Sequence, residues 1–105
     1  MLKITQTKLI KNTIHKFLPG AKVLLFGSKI RGEETLDSDI DLLVVTDEQL
    51  SPHSKMDFEK KIRHQLTQTF VLPFDIIVQT RDDVKQKKEL LGHIVYYAIK
   101  EGVEL

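Results

Sequence analysis

Three short apolar runs limit what this chain can fold into: Lys22-Val23-Leu24-Leu25-Phe26, Ile40-Asp41-Leu42-Leu43-Val44-Val45 and Phe74-Asp75-Ile76-Ile77-Val78. The apolar residues in each are continuous rather than alternating, which is the pattern of a strand covered on both faces. The first two therefore read as interior strands of a covered sheet, and a third strand is placed at Phe74 to Gln79. With 105 residues in all, one modest core is affordable and a separate substrate-binding domain is not. Residues 1–105 are expected to form a single domain.

The segments between these runs carry helical periodicity. Leu9, Ile10, Ile14, Phe17 and Leu18 recur at three- and four-residue spacing and predict a first helix over Thr7 to Leu18. Pro19-Gly20 stops it, because proline disfavours helix in the residue before it and glycine readily takes a left-handed conformation. Ser54-Lys55-Met56-Asp57 has capping-box spacing ahead of Phe58, Ile62, Leu66 and Phe70, so a second helix is expected to start there and to end before Pro73. Thr80-Arg81-Asp82-Asp83 repeats the capping signal before a last helix with Leu91, Ile94, Val95, Ala98 and Ile99 on its buried face and a stop at Gly102. Between the first two strands, Ser28 to Arg31 reads as a short helical turn and Gly32 to Ser38 as a polar loop. The order helix, strand, strand, helix, strand, helix predicts an α/β (α+β) fold, a small mixed sheet flanked by helices.

Two of the strands open on acids that an apolar strand does not need. Asp39 and Asp41 are two apart at the entrance to the second strand, so their side chains point to the same face. Asp75 opens the third strand in the same manner, and if the two strands are adjacent the three acids converge. A lone strand-end aspartate ordinarily caps a turn or pairs with a lysine. Like charges held together call instead for a shared proton, a basic partner or a divalent cation. Hard oxygen ligands suit Mg²⁺, and carboxylates around one or two such ions form the site of in-line phosphoryl or nucleotidyl displacement.

Gly27-Ser28 ends the first strand where a helical turn could begin, which would aim free backbone N–H groups and a hydroxyl at the strand end, a cradle for phosphate. Taken alone the dipeptide is equally a plain turn with Ser28 as an N-cap. Arg31 and Lys29 are candidates for triphosphate contact, or for pairing with Glu33, Glu34 or Asp37.

Composition excludes several other classes. Sixteen Lys and Arg against fifteen Asp and Glu leave a formal charge of +1, too small a field to hold nucleic acid by phosphate neutralisation, and direct nucleic-acid binding is not expected. Without cysteine there is neither a disulfide framework nor a thiolate metal site, which with the lack of a signal-type N-terminus implies a cytoplasmic location. No apolar run is long enough for a bilayer. His15, His53, His64 and His93 lack paired metal-ligand spacing, and the lysines and arginine at Lys60, Lys61, Arg63, Lys85, Lys87 and Lys88 read as solvated helix faces or a partner contact.

Read together, Gly27-Ser28, ten intervening residues and Asp39-Ile40-Asp41, with the apolar strands around them, closely resemble the signature of the minimal nucleotidyltransferases of the DNA polymerase beta-like superfamily. The family's third acid matches Asp75 in Phe-Asp-Ile-Ile-Val, and the string Ala98-Ile99-Lys100-Glu101-Gly102-Val103 is also similar to these small proteins. The resemblance implies the nucleotidyltransferase fold, with catalytic Mg²⁺, two ions, on Asp39 and Asp41 and completed by Asp75. It implies nucleotide phosphates on Gly27 and Ser28, with Arg31 beside them. The reaction implied is attack of an acceptor hydroxyl on the α-phosphorus of ATP, releasing pyrophosphate. Lys29 and Ile30 stand where many relatives have arginine and alanine, which bears on nucleotide contacts rather than on the acids.

Stand-alone relatives of this size are commonly antitoxins of a HEPN-domain toxin ribonuclease, some of which transfer AMP to a toxin tyrosine. The resemblance therefore implies a HEPN partner as acceptor. Two alternatives stay open: a non-catalytic subunit that neutralises its partner by covering it, and transfer to a small molecule such as an aminoglycoside.

Overall fold

The computed structural model describes residues 3–27 and 39–105. The turn expected at Ser28 to Arg31 and the loop expected at Gly32 to Ser38 lie outside the described residues. The first helix, α1 (Ile4–Phe17), begins earlier than its apolar periodicity requires. It ends as expected before Pro19, and Gly20 turns the chain at φ 76°, a left-handed value that suits glycine. His15 Nε2 lies 2.8 Å from the Ala21 carbonyl oxygen just beyond, tying the turn to the helix.

Strand β1 (Lys22–Phe26) pairs antiparallel with β2 (Ile40–Thr46), and β2 pairs parallel with β3 (Phe74–Thr80). Parallel neighbours need a long crossover, here supplied by α2 (Pro52–Phe70). A two-residue strand, β4 (Val103–Glu104), adds antiparallel to the outer side of β1 and completes the order β3-β2-β1-β4. The mixed sheet flanked by helices is thus present, with β1 and β2 interior as their composition demands.

Two helix boundaries differ from the sequence pattern. The cap of α2 is Ser51, whose Oγ accepts the Ser54 N–H at 3.1 Å, not Ser54 itself. Pro52 fits the first turn because that N–H would be unsatisfied in any case and its φ is already helical. The last predicted helix is two helices, α3 (Arg81–Lys87) and α4 (Ile94–Glu101). Gly92 at φ 86° breaks the run, and His93 recaps it, its Nδ1 accepting the Val95 N–H at 3.1 Å. Of the face expected to be buried, only Val95 and Ala98 are, while Leu91 is 82% exposed and Ile94 and Ile99 are also exposed.

The capping box at the start of α3 is present: the Asp83 N–H donates to Thr80 Oγ1 at 3.0 Å and the Thr80 N–H donates to Asp83 Oδ2 at 2.9 Å. Lys55 Nζ of α2 donates to the same carboxylate oxygen at 2.8 Å. Burial by itself raises the Asp83 pKa, but the Lys55 ammonium and the Thr80 amide outweigh it and hold the carboxyl at about 2.

The two faces of the sheet are covered unequally. Ile40, Leu42 and Val44 of β2, with Phe74, Ile76 and Val78 of β3, face the main core against α1 and α2, where Ile10, Ile14, Ile62 and Leu66 are fully buried. The alternate residues face the other way, where Leu24, Phe26 and Leu43 form a smaller cluster with Ala98 of α4, with Val45 and Ile77 packed against it. Glu59 of α2 accepts the Val78 N–H at 2.9 Å, satisfying one donor on the outer edge of β3. No helix among the described residues is long and apolar enough to cross a membrane.

Candidate active site

Asp41 is the second residue of β2 and Asp75 the second of β3, and the parallel register sets them directly opposite each other. Residues in register on adjacent strands share a face, and their backbones lie about 4.8 Å apart. Both acids are on the thinly covered face, the one with Leu43 and Ile77. Asp39, two residues before Asp41, falls on that face by alternation. The strand entrances are locked together by the Ile40 N–H, which donates to the Pro73 carbonyl at 3.0 Å.

From the other side, Phe26 of β1 is the register partner of Asp41, and the chain then turns at Gly27 with φ 83°. A Cβ built on Gly27 would collide with Asp41 Oδ2 and stand 3.0 Å from its Cγ. Only glycine satisfies both demands, the left-handed backbone and the close approach of a carboxylate. Gly27 and Asp41, far apart in sequence, are therefore one structural unit, with Asp75 beside it.

The acids differ in burial. Asp41 is half-buried and makes polar or electrostatic interactions of its own, while Asp39 and Asp75 are exposed. Water reaches two of the three acids and weakens the repulsion between like charges. Among the described residues no three His, Asp or Glu side chains stand close enough to hold one ion. The hard oxygen donors of the three acids are of the type that suits Mg²⁺. Ser28 and Arg31 lie outside the described residues.

The family model for "Polymerase beta, Nucleotidyltransferase" matches residues 8–104. This chain belongs to the polymerase beta nucleotidyltransferase family. Among solved structures it is similar to a chain of a toxin–antitoxin complex crystallised with AMP-PNP, at 18% identity and TM-score 0.64, covering 96% of this chain and 72% of that one. A chain from the complex of a tri-AMPylated Shewanella oneidensis HEPN toxin with its MNT antitoxin is 14% identical at TM-score 0.58, covering 95% and 68%. A chain from Sulfolobus solfataricus assigned to the nucleotidyltransferases is 20% identical at TM-score 0.59, covering 95% and 76%. At such identities the likeness speaks for the fold. No curated protein matches the sequence.

For this nucleotidyltransferase domain, the sequence pattern did not single out Phe26, whose buried ring backs the Asp41 position. The signal was its place at the strand end before Gly27. Lys60 and Arg63, read as a solvated helix face or a partner contact, are exposed and with His64 line a groove reaching Phe74, the residue before Asp75.

Proposed function

We propose that this chain transfers AMP from ATP to a hydroxyl of a protein partner, a tyrosine of a HEPN-domain toxin, and so serves as its antitoxin. The observation that carries the reading is the unit made by Gly27, Asp41 and Asp75, a glycine turn closing on one carboxylate with a second in register beside it. Similar folds in complexes with AMP-PNP and with a tri-AMPylated HEPN toxin support the choice of nucleotide and partner.

In this reading Asp39, Asp41 and Asp75 hold Mg²⁺, which supplies charge neutralisation at the phosphoryl oxygens when bound. The turn at Gly27 presents the backbone to the nucleotide phosphates, with Ser28 and Arg31 as further phosphate contacts. Asp75, which is exposed, would in this reading also help deprotonate the acceptor hydroxyl. Positioning and electrostatics account for most of the catalysis, since displacement at phosphorus asks little covalent chemistry of the protein.

The exposure of Asp39 and Asp75 favours a second reading, in which the fold only covers its partner. Intact mass spectrometry separates the two. A HEPN-domain protein encoded beside this chain, incubated with it, ATP and Mg²⁺, gains one or more AMP masses, and an Asp39→Asn, Asp41→Asn protein produces no gain. A stable complex with no mass change in either sample would overturn transfer in favour of covering.

A further inference from the structure

Helix α4 ends on an acid that neither the helix nor a nearby nucleotide would favour. Glu101 is its last residue, where the carbonyl end of the helix dipole opposes negative charge. It is nonetheless half-buried and engaged in a polar or electrostatic interaction within the chain. Three observations place it. Helix α4 covers the acid-bearing face, with Ala98 clustered on Phe26 and Leu43. Its end is drawn tightly onto β1: a Cβ on Gly102 would collide with the Ala98 carbonyl oxygen and stand 3.3 Å from that of Leu25, and Val103 is the register partner of Leu25. Gly102 is therefore level with Phe26, and Glu101 before it comes where the chain turns at Gly27. The third observation is direction. Ile99 lines a cavity with Lys22, Val45 and Arg81, at the end of the sheet away from the acids. Two residues span about 200° of an α-helix, so Glu101 is on the opposite flank, toward Gly27 and Asp41.

We propose that Glu101 is a positioning residue: its carboxylate braces the Gly27 turn and thereby sets how tightly nucleotide phosphates are held there. This role rests on the reading of the chain as a nucleotidyltransferase that receives ATP at that turn. The sign of the effect separates bracing from mere proximity. A carboxylate that only stood near a triphosphate would repel it, so its removal would tighten binding. A carboxylate that holds the turn ready for phosphate does the reverse, since without it the ligand itself must order the turn. Because Glu101 acts through the turn and not on the reacting atoms, affinity changes more than the chemical step.

The test is isothermal titration calorimetry with AMP-PNP and Mg²⁺, without any acceptor protein, on the wild-type chain, Glu101→Ala, Glu101→Gln and the control Glu104→Gln. Glu104 is exposed and lines the cavity at the far end of the sheet. Glu101→Ala raises the Kd by about tenfold. Glu101→Gln keeps the length and one acceptor oxygen and recovers part of that loss, while the control stays within about twofold. In AMP transfer the KM for ATP follows the same order, with kcat within about threefold of wild type. Circular dichroism and thermal melting establish folding; should Glu101→Ala not fold, Glu101→Gln carries the comparison. Unchanged or tighter binding in the Glu101 variants, an equal loss in Glu104→Gln, or a fall in kcat at unchanged KM overturns the proposal. So does a loss seen with ATP and not with 2′-deoxy-ATP, which would make Glu101 a direct ribose contact. A wild-type chain that does not bind AMP-PNP strikes the parent reading and this role with it. One that binds but transfers nothing strikes the reaction alone, and the binding comparison still decides the role of Glu101.

Discussion

Asp41 and Leu42 are adjacent in β2 and face opposite worlds. Leu42 is fully buried against α1 and α2, while Asp41 points to the face where, among the described residues, α4 and the short α3 lean on the sheet. Among the described residues, one side of the sheet carries most of the buried apolar side chains, and the acids stand on the other. A sheet stabilised from one side can tolerate polar strand entrances on the other, which is where ligand sites concentrate. The difference between the faces is therefore a division between holding the fold and exposing the chemistry.

The sharpest way to break that division is Asp41→Asn. AMP transfer is expected to fall by about a thousandfold or more, as for loss of a principal electrostatic group at phosphorus, with stability changed by less than about 1 kcal/mol. Mass spectrometry of the partner and urea denaturation read the two sides; an active variant would remove the site assignment. Leu42→Ala, one residue on, is expected to reverse the pattern, costing about 2–5 kcal/mol in urea denaturation through the cavity it leaves.

Gly27→Ala tests the joint between the faces. A left-handed alanine whose Cβ meets the Asp41 carboxylate should cost about 1–3 kcal/mol, and transfer should fall with it even at temperatures where the variant is folded. Thr80→Ala removes the α3 cap, for a loss of about 1 kcal/mol by thermal melting and no effect on transfer chemistry. The smallest effect is in pH. Asp83 has a folded pKa of about 2 against 3.8 unperturbed. Its contribution is fully present above about 3.8 and is lost as pH falls through about 2. In Asp83→Asn, denaturation midpoints measured across that window should lose that share of their acid slope; an unchanged slope would show that the Lys55 contact contributes nothing.

Much of the fold was legible because it rests on local rules. The limits of β1 follow from composition, the α3 cap from the Thr80-to-Asp83 spacing, and the α1 stop from Pro19-Gly20. The division of the last helix was not legible, although Gly92 stood in the sequence. A helix interior tolerates glycine at about 1 kcal/mol, so only the packing of α3 and α4 reveals that the chain turns there. The Ser51 cap was hidden by a second capping pattern three residues on, which local spacing alone cannot rank against the first.

At the site, the three acids and Gly27 were visible as residue types at strand ends. Their mutual arrangement depended on conditions the chain alone leaves open, above all that β2 and β3 are parallel neighbours with Asp41 opposite Asp75. The cations of α2 showed helical spacing but not their destination, because a helix pattern names a face and not what that face meets. By itself the sequence determined the acids, the glycine and the strands that present them, since short-range propensity and side-chain alternation act within a few residues. Strand order, register, the open face and the groove beside Asp75 were decided only in the tertiary structure, where contacts between distant segments select one pairing among several that local physics permits.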